Sequence, residues 1–102
     1  MAETWKYFLI EVTYQVPEER VNEVVGQHRA FLQEGYDRGW LLMSGPQVPR
    51  IGGIIVGRAP SRQDIEQFFS QDPYQVQGIA TYRFVEFIPV KRQTFLESWM
   101  TE

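Results

Sequence analysis

Two residues of this 102-residue chain stand out as candidates for acid–base chemistry: its single histidine, His28, and the aspartate of the Asp72-Pro73 pair. Histidine is the side chain whose ordinary titration falls near neutral pH. Beside a carboxylate, an imidazole can take up a proton and return it, while the carboxylate holds the tautomer and offsets the positive charge. His28 lies four residues after Val24, three after Val25, three before Phe31 and four before Leu32. That spacing puts it on the apolar stripe of a helix, facing a sheet. The same position suits a packed, hydrogen-bonded core histidine. Asp72 also reads two ways, because Asp-Pro is a turn-forming pair whose aspartate can accept from nearby backbone amides.

Other candidates are weaker. Ser44-Gly45-Pro46 follows a short apolar segment and reads as a turn. In a site, Ser44 would donate to a substrate oxygen, and the amide of Gly45 would help to hold an anion. Gly52-Gly53 lacks the spacing of a phosphate loop or a dinucleotide turn. Arg29, Arg58 and Arg83 could each grip a carboxylate with two hydrogen bonds, although each also reads as a solvated surface cation. Residues 82–87 (YRFVEF) have the aromatic alternation of an RNA-binding strand, but they fall in the fourth strand and lack its glycines.

Composition removes whole classes of function. With no cysteine, the chain forms no disulfide, thiolate nucleophile or cysteine-ligated zinc site, and one histidine excludes any single-chain site needing two imidazoles. The net charge of −3 comes with no evident basic face, against nucleic-acid binding. The early apolar run Tyr7-Phe8-Leu9-Ile10 is too short for a signal peptide or a membrane span, which points to a cytoplasmic protein away from membranes. His28 and Asp72 are too few ligands to specify a metal, so no cofactor is expected.

The elements that must position these residues read as one βαββαβ unit over residues 1–90 and an amphipathic tail over 91–102. Residues 5–14 are aromatic and β-branched and predict a strand. Phe8, Ile10, Val12 and Tyr14 form one apolar row, and Trp5, Tyr7 and Leu9 form another on the opposite face. Pro17, Glu18 and Glu19 suit a helix start, and residues 18–34 carry helical spacing, with Gly35 and Gly39 as stop signals. Strands are predicted over 40–44, 51–58 and 79–88. Ser61 is a candidate cap for a helix over 62–71 that Asp72-Pro73 ends. Two helices on one face of the sheet would bring His28 and the end of the second helix near each other.

Two helices cover only one face of a four-stranded sheet, and strands one and four are apolar on both. An exposed apolar face of that size marks an interaction surface, so a homodimer packed sheet to sheet is expected. The alternative is a monomer whose tail, with Phe95, Leu96, Trp99 and Met100 on one side, folds over the open face.

Taken in order, His28, Phe31-Leu32, Gly39, Ser44-Gly45-Pro46, Gly52-Gly53 and Asp72-Pro73-Tyr74 resemble the YCII (YciI-like) family over about residues 5–90. The resemblance implies an α+β, ferredoxin-like fold with an antiparallel four-stranded sheet that pairs into a dimeric α+β barrel. It also implies a histidine on the first helix and an aspartate in the Asp-Pro pair, proposed as a catalytic dyad; here these are His28 and Asp72. Related domains occur in enzymes acting on muconolactone-type compounds, including dehalogenation. The expected activity is therefore cofactor-independent acid–base chemistry on a small lactone or carbonyl acid, of isomerase, lyase or hydrolase type. The alternatives are a non-catalytic module that binds a small ligand or regulates, and a haem-binding barrel using the lone histidine as axial ligand. The chain departs from the family pattern in a short turn between strands two and three, with Pro46, Pro49 and Arg50, and in the tail after Lys91.

Overall fold

The computed structural model describes residues 4–102. Strand β1 (Lys6–Tyr14) leads into helix α1 (Glu18–Asp37), then strands β2 (Leu41–Pro46) and β3 (Gly52–Ala59). Helix α2 (Arg62–Phe69), the short helix α3 (Pro73–Val76) and strand β4 (Ala80–Phe87) follow. A 3-10 turn at Thr94–Leu96 and helix α4 (Glu97–Thr101) form the tail. The sheet order is β2-β3-β1-β4, and every pairing is antiparallel. This is the expected α+β arrangement of ferredoxin-like type.

The parity of β1 sets the layers. Phe8, Ile10 and Val12 are buried under the helices, and the register places Ile10 between Ile55 of β3 and Phe84 of β4. Val21, Val24, Phe31 and Leu32 of α1 and Ile65, Phe68 and Phe69 of α2 complete this core. Each large side chain so buried stabilises the fold by about 1.5–3 kcal/mol.

Helix α1 runs three residues past its expected end. Gly35 lies inside it as a packing residue, because a Cβ there would fall 2.7 Å from Leu41 Cδ1. The stop is Gly39, at φ +78°, a left-handed conformation that glycine takes without steric cost. Its N–H donates to the Tyr36 carbonyl and the Trp40 N–H to the Gly35 carbonyl, the two bonds of a Schellman cap. The strand expected to end at Ser44 continues through Gly45-Pro46, which reads as a turn in the sequence: Ser44 pairs with Ile55 and Pro46 with Gly53. At Gly52 the backbones of β1 and β3 come so close that a Cβ would meet the Val12 carbonyl oxygen at 1.7 Å.

The second face of the sheet carries Leu9, Val56 and Val85, paired across three strands and half-buried, with Met43 and Phe87 exposed. The tail folds onto one end of this face. The Trp99 indole donates to the Gly39 carbonyl at 3.1 Å, and the Tyr7 hydroxyl to the Met100 carbonyl at 3.4 Å. Arg58, expected at a solvated surface, is instead 3% exposed. Its guanidinium carbon lies 4.0 Å from the Trp5 ring centre and 4.5 Å from that of Trp99, and it donates to the carbonyls of Gly39 and Trp99. Arg83 lies at the surface beside Glu11, as expected. Among the described residues, no helix is long and apolar enough to cross a membrane.

Candidate active site

His28 and Asp72, 44 positions apart in the chain, meet between α1 and the start of α3. The imidazole Nδ1 is 2.9 Å from Asp72 Oδ1 and 3.0 Å from Oδ2. A carboxylate only accepts, so Nδ1 carries the proton in this contact, and Nε2 is the ring nitrogen left for other partners. Asp72 is fully buried, and the His28 side chain is 12% exposed.

Helix α2 ends at Phe69, two residues short of its expected end, and Asp72 then caps α3. Its Oδ1 accepts from the Tyr74 N–H at 3.0 Å, with Pro73 in the first helical turn. The Tyr82 hydroxyl of β4 donates to Oδ2. The buried carboxylate therefore has donors from a helix cap, a strand and the imidazole, and buried charges persist only when so paired. One carboxylate thus caps the turn and also meets the histidine.

The cap also places Tyr74. Its ring stacks on the imidazole, with centres 3.8 Å apart and planes within 5°. Tyr14 meets Tyr74 edge-on at 5.9 Å. Burial pushes the Tyr74 phenol well above the ordinary tyrosine range, and neighbouring Tyr14 adds to the effect. Tyr82 is raised further still, first by burial and then by Asp72. Both phenols stay protonated at neutral pH.

His28 lines a cleft of about 480 Å³ between α1, the end of β2 and the β2–β3 loop. That volume falls in the range of small-molecule sites. Ser44 and Gly45 of β2, Arg29 of α1 and Arg50 of the β2–β3 loop line the same cleft. The Ser44 hydroxyl shares a 2.7 Å hydrogen bond with Tyr36 of α1. Among the described residues, no cluster of three or more His, Asp or Glu side chains comes together as a metal site would need.

Three contributors escaped the reading of the sequence. Tyr82 lay in the YRFVEF run, and its pairing with Val12 puts it on the helix-covered face, so strand parity carried the signal. Tyr74 was visible only as part of the Asp-Pro-Tyr run. Arg50 joins the site through a loop whose path periodicity does not describe.

The YCII-related domain model matches residues 6–88, and the chain belongs to that family. No curated protein sequence matches it. Among solved structures, the chain is similar to 5-chloro-2-hydroxyhydroquinone dehydrochlorinase (TftG) from Burkholderia phenoliruptrix, determined in complex with 2,5-dihydroxybenzoquinone. The match has a TM-score of 0.67 at 17% identity, and covers 87% of this chain and 97% of that one. At that identity the likeness establishes a shared fold.

Proposed function

We propose that this protein is a small-molecule enzyme in which His28 moves a proton at Nε2 and Asp72 holds the imidazole. The observation that carries this reading is the buried Asp72 carboxylate, with both oxygens on Nδ1 of a histidine that lines a cleft. In the reaction, Nε2 takes a proton from a C–H or O–H beside a carbonyl of the substrate. The freed electron pair either shifts the double bond or expels a leaving group. The imidazolium then returns the proton to a new carbon in isomerisation, or to the leaving group or water in elimination. Asp72 offsets the positive charge, and the Tyr74 ring restricts tilting of the imidazole. Ser44 and the Gly45 amide, which line the same cleft, hold a substrate oxygen. Positioned acid–base catalysis of this kind contributes about 10²–10⁴-fold.

The fold-level likeness to a dehydrochlorinase in complex with a dihydroxyquinone supports a hydroxylated ring as substrate. The half-buried row Leu9, Val56 and Val85, with Met43 and Phe87 exposed beside it, supports a homodimer packed through this face outside the patch held by the tail. Light scattering on a sizing column should give twice the chain mass, and a monomer would end that part of the proposal.

The decisive assay follows halide release from chlorinated hydroquinones, and solvent deuterium uptake into small lactones and keto acids by NMR. His28→Ala should abolish turnover while circular dichroism stays that of the wild type. Full turnover in that variant would overturn the proposal. A second reading, a non-catalytic binding module, is favoured by one observation: Asp72 is already occupied by the Tyr74 amide and the Tyr82 hydroxyl, as a purely structural residue would be. Under that reading His28→Ala lowers stability, by about 1–3 kcal/mol for a buried partner left unsatisfied, and no substrate is turned over.

A further inference from the structure

The charges around the cleft are one-sided. Arg29 and Arg50 line it beside His28, and among the described residues no carboxylate does. Asp72 sits behind the imidazole and is covered by its donors. Arg29 has no ion-pair partner among the described residues. Arg50 is held in place: it donates to Asn22 Oδ1 at 2.9 Å, and its guanidinium carbon stands 5.8 Å from the Tyr14 ring centre. Its one carboxylate neighbour is Glu18 at 3.4 Å, outside the cleft and 63% exposed. An ion pair that exposed is weak and leaves the guanidinium able to take another anion. The remaining wall is flat or apolar, with Tyr14, Tyr74, Val25 and Leu32 among its residues.

We propose that this cleft selects a ring-sized organic anion, a carboxylate or an ionised enol, through Arg50 and Arg29. The inference rests on the cleft being the substrate site and adds the charge class of what enters it. Arg50 is the main selector because Asn22 and Tyr14 already fix it, so less side-chain freedom is lost on binding. A guanidinium suits this task, since its planar fork matches the two oxygens of a carboxylate. Apolar walls then take the body of the ring and bring its reactive edge to the imidazole. The β2–β3 turn, which carries Arg50, is the segment that supplies the selecting charge.

The test uses benzoate and its neutral counterpart benzamide, measured by calorimetry and by the NMR signals of the single imidazole. Benzoate should bind at least about tenfold more tightly than benzamide, the effect of one charge-assisted contact. It should shift the His28 signals and weaken as salt is added. Arg50→Gln should remove most of the preference, Arg29→Gln part of it, and Arg50→Lys should keep a share. Equal binding of the two probes, a preference unchanged in Arg50→Gln, or imidazole signals unmoved by millimolar benzoate would each overturn the inference. Failure of the catalytic proposal looks different. Arg50-dependent benzoate binding with no substrate turned over would uphold the anion site and remove the enzyme. Turnover of neutral lactones, lost in His28→Ala and indifferent to Arg50→Gln, would do the reverse.

Discussion

The imidazole of His28 lies flat on the ring of Tyr74, centres 3.8 Å apart, while its Nδ1 edge meets the Asp72 carboxylate. The ring is thus fixed on one face and one edge by residues two apart in the chain. A turn of four helical residues sets both, because the carboxylate that caps α3 also places Tyr74.

Asp72→Asn and Asp72→Ala should therefore have different effects. Asparagine caps a helix about as well as aspartate, so α3 survives while the imidazole loses its anionic partner. Turnover should fall by about 10²–10⁴-fold with little change in the urea midpoint. Alanine removes the cap and leaves the buried Tyr82 hydroxyl without its acceptor. It should lower stability by about 1–3 kcal/mol beyond asparagine. Equal unfolding midpoints for the two variants would contradict the double role.

High pH should unfold the protein through its tyrosines. Burial raises the Tyr74 and Tyr82 phenols above their unfolded value. A group raised in the folded state contributes its full stability below the unfolded value, near pH 10, and loses it as pH rises toward the folded value. Absorbance at 295 nm should show that Tyr74 and Tyr82 ionise only as the helical dichroism collapses. Ionisation of all five tyrosines in a folded protein would refute this.

Gly39→Ala tests the end of α1. With φ at +78°, a Cβ should cost about 1–2 kcal/mol, and asparagine, which tolerates this region better, should cost less. Gly26, whose added Cβ would meet nothing within 4 Å, provides the control: Gly26→Ala should be neutral or stabilising in the same unfolding experiment.

Truncation after Gln93 removes Trp99 from Arg58. The guanidinium then keeps Trp5 and the Gly39 carbonyl but loses its second ring and the Trp99 carbonyl. Stability should drop by about 1–3 kcal/mol. Arg58→Met in the truncated chain should recover part of that, since a buried charge short of partners costs more than a buried thioether. A truncation that leaves the thermal midpoint unchanged would show that the tail does not support the domain.

What the sequence made legible was whatever burial writes as a period. The parity of Phe8, Ile10 and Val12 and the stripe through Val24, Phe31 and Leu32 reported layers and faces correctly, and they put His28 on the inner side of α1. Helix α3 was missed because four residues carry no period. Gly35 was misread because a packing glycine and a stop glycine look alike until Leu41 is set against one of them. Arg58 was misplaced because its cover comes from Trp5 and Trp99, at opposite ends of the chain. The contact of His28 with Asp72 was a matter of distance, which spacing along a chain does not supply.

The cap on α3 also ties the site to the local opening of that helix. Releasing the Tyr74 amide to solvent means breaking its bond to Asp72 Oδ1, the oxygen that also meets His28 Nδ1. Exchange of that one backbone proton in heavy water therefore reports how often the cap opens and frees the oxygen it shares with the imidazole.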